Sequence, residues 1–286
     1  MIWFDMAISP KFSWPNTQVE IPFEGYKLVL QPRRHVEENP AELASTVSVL
    51  DMGGISFEVG GTVASRFLSR IAWSMRGGVE ELFVAGSNNP KRPGWLGQGT
   101  YGRSGWAQVD PWAYLYLPSV VNVDADLALG LFREGMSVNS APFAFLSYFK
   151  ILNIKHAGGS AQKNWINQNI QHLWYSPAVD RLNDLKKTVS DIGKYLYEEG
   201  RCAVAHANGS PIVNPDDYAD KRRMENDLPL MKELAALFIE RELGVLSESS
   251  YWKSLRNIKS SNSVELLKKT ESSSGNIIYQ YEQENI

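Results

Sequence analysis

The sequence predicts an α+β protein in which a β-rich mixed domain is followed by a helical bundle. Three observations lead there. Residues 26–61 alternate in polarity and turn on glycines, the strand signal stops at Asp124, and from there to Gly244 apolar residues recur every three or four positions. With 286 residues, 43% of them hydrophobic, the chain can bury one large core or two smaller ones.

The first domain is placed at 1–123. Within it, residues 26–32, 46–52 and 55–61 read as strands, the last two joined by a Gly53-Gly54 turn. The period then changes. Val63, Phe67, Ile71 and Met75 repeat every four residues, with Leu68 and Ala72 alongside, which predicts an amphipathic helix capped by Thr62 and ended by Gly77. "ELFVAGS" (81–87) returns to strand. Residues 88–108 form a glycine- and proline-rich loop or hairpin carrying Lys91, Arg92 and Arg103 among Trp95, Tyr101 and Trp106. Cations interleaved with aromatic rings can clamp and stack a single nucleic-acid strand, so these six residues are a secondary binding candidate.

The helical domain is placed at 124–246. "DADLALGLFREGMS" and "NSAPFAFLSYFKILNIKH" read as consecutive helices, the second with Asn139 as N-cap and Pro142 in its first turn. "QKNWINQNIQHLW" adds a short helix. After Pro177, the residues Val179, Leu182, Leu185, Val189, Ile192 and Leu196 form the clearest helical stripe in the chain. The last helical segment is capped by Asp216 or Asp217, broken or restarted at Pro229, and ended by Gly244. Residues 247–286, rich in Ser, Lys, Asn and Glu, read as a polar tail that is flexible or packs on a partner protein, with a weak helix around 251–269 and a marginal strand at "NIIYQYEQ".

Composition excludes several functions. The net charge of −3 provides no global field to attract nucleic acid, so any such role needs a local site. One cysteine, Cys202, permits no intrachain disulfide and fits a reducing, cytoplasmic setting. The N-terminus lacks a signal-peptide pattern, and no run approaches the ~18 apolar residues of a membrane span. His35, His156 and His172 have no metal-ligand spacing, and the glycine-rich stretches match neither a P-loop nor a dinucleotide fingerprint, so no metal and no cofactor are expected. Cys202 reads as a small buried hydrophobe, and Asp216, Asp217 and Asp220 as a helix start.

That leaves "YLYEEGRCAVAHANG", where Arg201 and His206 stand five positions apart. Cleaving a phosphodiester with a neighbouring hydroxyl needs a group that moves protons near neutral pH and a fixed cation for the phosphorane. Histidine and arginine supply these, and RNA brings its own 2′-hydroxyl, so metal is unnecessary. The spacing itself is weak evidence, because with four to six intervening residues allowed composition produces about 0.6 accidental matches in this chain. Regular helix geometry also holds the two side chains about 140° apart. Arg201 is expected just past the end of a strongly amphipathic helix, before an Asn208-Gly209 turn, where the two side chains can converge. If instead the two cations only satisfy terminal carbonyls, they have no role in chemistry.

A helix like "FAFLSYFKILN", a second helix, then R-x4-H and a closing helix resembles the HEPN superfamily. More closely, "ASRFLSRIAW", "ALGLFREGMSVNSAPFAFLSYFKILNI", "YLYEEGRCAVAHA" and "PDDYADKRRMENDLPLMKELAALFIERELG" resemble the MauJ-type proteins of methylamine-utilisation gene clusters. The HEPN resemblance implies a homodimeric bundle and a metal-independent endoribonuclease, with Arg201 stabilising the phosphorane and His206 transferring protons. It departs at Cys202, where many active members carry a polar residue, often Asn. Inactive members imply the alternative: a non-catalytic dimerisation or binding module whose N-terminal domain takes a ligand or protein.

Overall fold

A computed structural model describes residues 3–36, 39–50, 57–87, 95–96, 108–109, 116–120, 122–208, 211–214, 217–257, 263–271 and 277–285. They form an antiparallel β region followed by a helical region, the α+β arrangement that the pattern predicts. The chain divides into two compact units, 1–118 with 247–286, and 119–246. The division falls five residues before the expected boundary, and the C-terminal segment groups with the first unit.

In that unit, β1 (Trp3–Pro10), β2 (Trp14–Pro15), β3 (Val19–Phe23), β4 (Tyr26–Gln31), β5 (Arg34–Val36), β6 (Asn39–Leu43) and β7 (Ser45–Leu50) precede α1 (Phe57–Met75), followed by β8 (Val79–Ser87), β9 (Trp95–Leu96) and β10 (Gln108–Val109). The C-terminal segment supplies α9 (Glu248–Asn257), β11 (Ser263–Glu271) and β12 (Ile277–Asn285). The main sheet has the order β11-β12-β3-β4-β7-β1-β8. β3 and β4 close on Glu24-Gly25, both at positive φ, as a two-residue hairpin requires. Within the sheet, β1 lies between β7 and β8 and is antiparallel to both. Its residues are almost all apolar and buried, so it lacks the alternation that marks a half-exposed strand. The smaller sheets are β5-β6-β9 and β10-β2.

Two expectations change here. Residues 57–61 are the start of α1, not a strand, and Thr62 lies inside the helix; residues 51–56, including the Gly53-Gly54 turn, lie outside the described residues. Gly60 serves close packing: a Cβ there would come 2.7 Å from Cβ of Phe4 on β1. The predicted apolar face then docks as expected. Val63, Phe67, Leu68, Ile71 and Ala72 are fully buried, and the Phe67 ring meets that of Phe23 edge-on at 5.5 Å. The C-terminal segment is also no free tail, since β12 pairs in parallel with β3 and antiparallel with β11.

The second unit contains α2 (Val123–Ser137), α3 (Ala141–Asn153), α4 (Gly159–Asn169), a 3-10 turn at Ile170–His172, α5 (Ser176–Leu185), α6 (Ile192–Tyr195), a π-helical stretch Leu196–Cys202, α7 (Ala203–Ala205) and α8 (Tyr218–Leu243). α8 packs on α2, α3 and α5, and α4 packs on α6. Phe132, Phe145, Tyr148, Phe149 and Phe238 are buried to 2% or less, each stabilising the bundle by roughly 1.5–3 kcal/mol. Among the described residues, no helix is long and apolar enough to cross a membrane.

Details of the helical pattern shift. Asn122 caps α2, its side chain accepting from the Ala125 N–H, and Ser140 rather than Asn139 occupies the α3 cap position. The long stripe after Pro177 is two helices. Asp191 starts the second by accepting from the Lys194 N–H and from Asn167, so the apolar period bridges a real break. Conversely, α8 runs unbroken through Pro229. The carbonyl left without a proline N–H belongs to Glu225, an exposed residue, while Met224, Leu230, Met231 and Leu234 bury both halves of the helix together. Of the two possible caps, Asp217 serves α8, accepting from the Ala219 N–H; Asp216 lies outside the described residues.

Candidate functional site

Arg201 does not lie past the end of its helix. Helical backbone continues through it to Ala205, but Leu196–Cys202 is wound as π-helix. The Ala203 N–H reaches back five residues to the Glu198 carbonyl, as well as to that of Gly200. Single π turns are uncommon and concentrate at functional sites. The wider turn alters which side chains meet. Residues five apart diverge on an α-helix, whereas here the widened turn ends at Cys202 and, after Ala203–Ala205, His206 leaves the helix in extended conformation (φ −126°, ψ 125°). Nη1 of Arg201 lies 3.2 Å from Nε2 of His206.

The chemistry of this contact is constrained. Arginine has five donors and no acceptor, so as a hydrogen bond this contact runs from the guanidinium to an Nε2 lone pair, which requires the ring proton on Nδ1. Arg201 is half-buried and His206 exposed, so both are within reach of solvent. The same guanidinium lies 5.8 Å from the Tyr197 ring centroid, and its Nη1 donates weakly to Sγ of Cys202 at 3.7 Å. Cys202 is thus half-exposed beside a cation rather than a sealed hydrophobe. Nζ of Lys163, from α4, also lies over the Tyr197 ring, at 5.4 Å, and is 3.7 Å from the Glu198 carboxylate. Among the described residues no carboxylate pairs with Arg201. A guanidinium that pairs with no carboxylate among the described residues, set beside an imidazole, is suited to an anion that also carries a proton to be moved.

The π stretch is held from two sides. Gly200 faces α3, where a Cβ would come 2.5 Å from Cζ of Phe145, so only glycine lets the widened turn close on the bundle. From α8, Nη1 of Arg223 donates to the Glu199 carbonyl at 2.8 Å. Arg223 lies 3.9 Å from Asp227, whose residue is fully buried. Asp227 accepts from Nε of Arg181 at 2.8 Å and from the Tyr195 hydroxyl at 2.9 Å. Burial pushes the Asp227 carboxyl up from its ordinary range, and the arginines and the phenol hold it back. Burial, with the Asp227 carboxylate alongside, likewise pushes the Tyr195 phenol up.

Sequence reading found Arg201 and His206, and the structure brings them together. It did not find Tyr197, Lys163 or the Arg181–Asp227–Tyr195–Arg223 network. One signal was available: Asp227 occupies an apolar stripe, between Met224 and Met231, where a carboxylate needs partners. Of the secondary candidates, Lys91, Arg92, Tyr101, Arg103 and Trp106 lie outside the described residues. Trp95 is placed in β9, antiparallel to β6, with its backbone alone described. Among the described residues no cluster of three His, Cys, Asp or Glu side chains could hold a metal ion. Asp217 and Asp220 are instead engaged locally, Asp220 accepting from the Asn214 N–H.

Residues 128–240 match the family described as methylamine utilization protein MauJ. The matched stretch runs from α2 into α8 and contains Arg201, His206, Arg223 and Asp227. No curated protein and no solved structure matches the chain.

Proposed function

We propose that the chain is a HEPN-like, metal-independent endoribonuclease, acting in the cytoplasm as a homodimer through its helical unit, with Arg201 and His206 as the catalytic pair. The 3.2 Å approach of the two side chains, one on the π turn and one just past the helix end, both within reach of solvent, carries this reading. When a phosphodiester enters, a non-bridging oxygen takes the Arg201 N–H, which releases the Nε2 lone pair of His206. That nitrogen removes the proton of the ribose 2′-hydroxyl as O2′ bonds to phosphorus. The P–O5′ bond breaks, the 5′ oxygen takes a proton from water, and the hydroxide left takes back the proton held on Nε2 of His206. The products are a 2′,3′-cyclic phosphate and a 5′-hydroxyl. Arg201 stabilises the charge that builds on the phosphorane.

The test is cleavage of single-stranded RNA by purified protein in excess EDTA. His206→Ala is expected to slow cleavage at least about 100-fold, and Arg201→Ala comparably, with unchanged far-UV circular dichroism. Wild-type protein that leaves RNA intact, or a His206→Ala variant that cuts equally well, defeats the proposal. Cys202, at the position that is often Asn in active relatives, and the net charge of −3 favour a second reading, a non-catalytic binding module. In that case RNA or a partner protein is retained without being cut.

A further inference from the structure

Arg223 lies outside the R-x4-H motif and touches neither of its members, yet it is bound to the backbone that presents them. Its guanidinium donates to the Glu199 carbonyl, in the middle of the π stretch and two residues before Arg201. A π turn inserts a residue into the helical ladder, so its carbonyls need partners beyond the usual ones. Arg223 is itself fixed: 3.8 Å from Asp220 and 3.9 Å from Asp227, one turn to either side on α8. Asp227 in turn is anchored by Arg181 on α5 and by Tyr195, which immediately precedes the π stretch. One network therefore grips the π stretch at its entrance and at its centre. The surface ion pairs are individually weak, but a charge-assisted bond to a carbonyl and a fully buried carboxylate with three partners are not.

We propose that Arg223 is a positioning residue: by holding the Glu199 carbonyl it keeps the helix π-wound, and the π winding keeps Arg201 on Nε2 of His206. The proposal rests on the Arg201–His206 site described above, and its test does not depend on cleavage. A free neutral imidazole favours the proton on Nε2, whereas donation from Arg201 enforces the Nδ1–H form, and the two tautomers differ in their ring ¹⁵N shifts.

In full-length ¹⁵N-histidine-labelled protein, at a pH where the ring is neutral, wild-type His206 is expected as the Nδ1–H tautomer. Arg223→Met is expected to move it to the Nε2–H form, matching an Arg201→Met control. Arg223→Lys, which restores a cationic donor, is expected to retain part of the wild-type signal. If Arg223→Met fails to fold, Arg223→Gln, too short to reach the carbonyl, is read the same way. A folded Arg223→Met or Arg223→Gln protein with an unchanged His206 tautomer overturns the proposal, as does wild-type His206 already in the Nε2–H form. On RNA, Arg223→Met should lose about 100-fold in rate, the scale of a misplaced catalytic group. If wild-type protein does not cut RNA but the tautomer responds as expected, the nuclease reading fails and the positioning role stands.

Discussion

His206 and Asp5 show two ways in which a polar side chain meets its partners. His206 lies 3.2 Å from Nη1 of Arg201, a group that only donates. Asp5 sits on the inner strand β1, fully buried, with one oxygen accepting from the Ser87 hydroxyl and Oδ1 without a hydrogen bond among the described residues. Burial pushes its carboxyl up, and the hydroxyls of Ser48 and Ser87 offset only part of this. The folded state therefore keeps the proton at a pH where the unfolded chain has released it. Stability falls as pH rises from the unfolded carboxylate range through the folded value, and the loss persists at neutral pH. Asp5→Asn is expected to stabilise the protein at pH 7 on the order of 1 kcal/mol and to flatten the acid side of the stability profile, measured as urea midpoints between pH 4 and 8. A destabilised variant at pH 7 would show that the charge is needed.

Among the elements, the break between α5 and α6 and the continuity of α8 both run against the sequence pattern, for reasons of local hydrogen bonding. Apolar spacing continues across residues 186–190, but Asp191 offers a cap and Asn167 orients it, so a new helix starts there. The side-chain bond from Asn167, then the Lys194 N–H, hold the Asp191 carboxyl below the ordinary range. Its contribution is present above the unfolded value and fades as pH falls through the folded one. Asp191→Ala should cost about 1 kcal/mol at neutral pH, seen as a lower urea midpoint at unchanged slope. Little or no change would mean that packing, not the cap, starts the helix. The π stretch is the other departure. The sequence shows R-x4-H but not the extra residue in the winding, because the partner of the Glu199 carbonyl is Arg223, on a different helix.

On the scale of the whole molecule, residues 247–286 add two strands to the sheet of the first unit. The pattern at "NIIYQYEQ" marks the second of these, β12, while polar composition hid β11, since a strand at a sheet margin needs few apolar residues once its backbone is paired. A chain ending at residue 246 would leave β3 as an unpaired edge. It is expected to lose about 2 kcal/mol, or roughly 4–8 °C in thermal midpoint, and to aggregate with rising concentration in light scattering. A truncated protein as stable and monodisperse as the full chain would make the segment a dispensable tail.

The sequence by itself determined the order of β and helical regions, the buried face of α1, the helix end at Gly244 and the identity of the Arg–His pair, because these depend on spacing and on residue type along one stretch of chain. Only the folded chain brings Arg201 and His206 together, winds the stretch that ends at Arg201 and Cys202 as π-helix, and sets Asp227 and Arg223 to support it. Those depend on hydrogen bonds and close packing between segments distant in the chain, such as Gly200 against Phe145 and Arg223 on the Glu199 carbonyl, and no local periodicity encodes such partners.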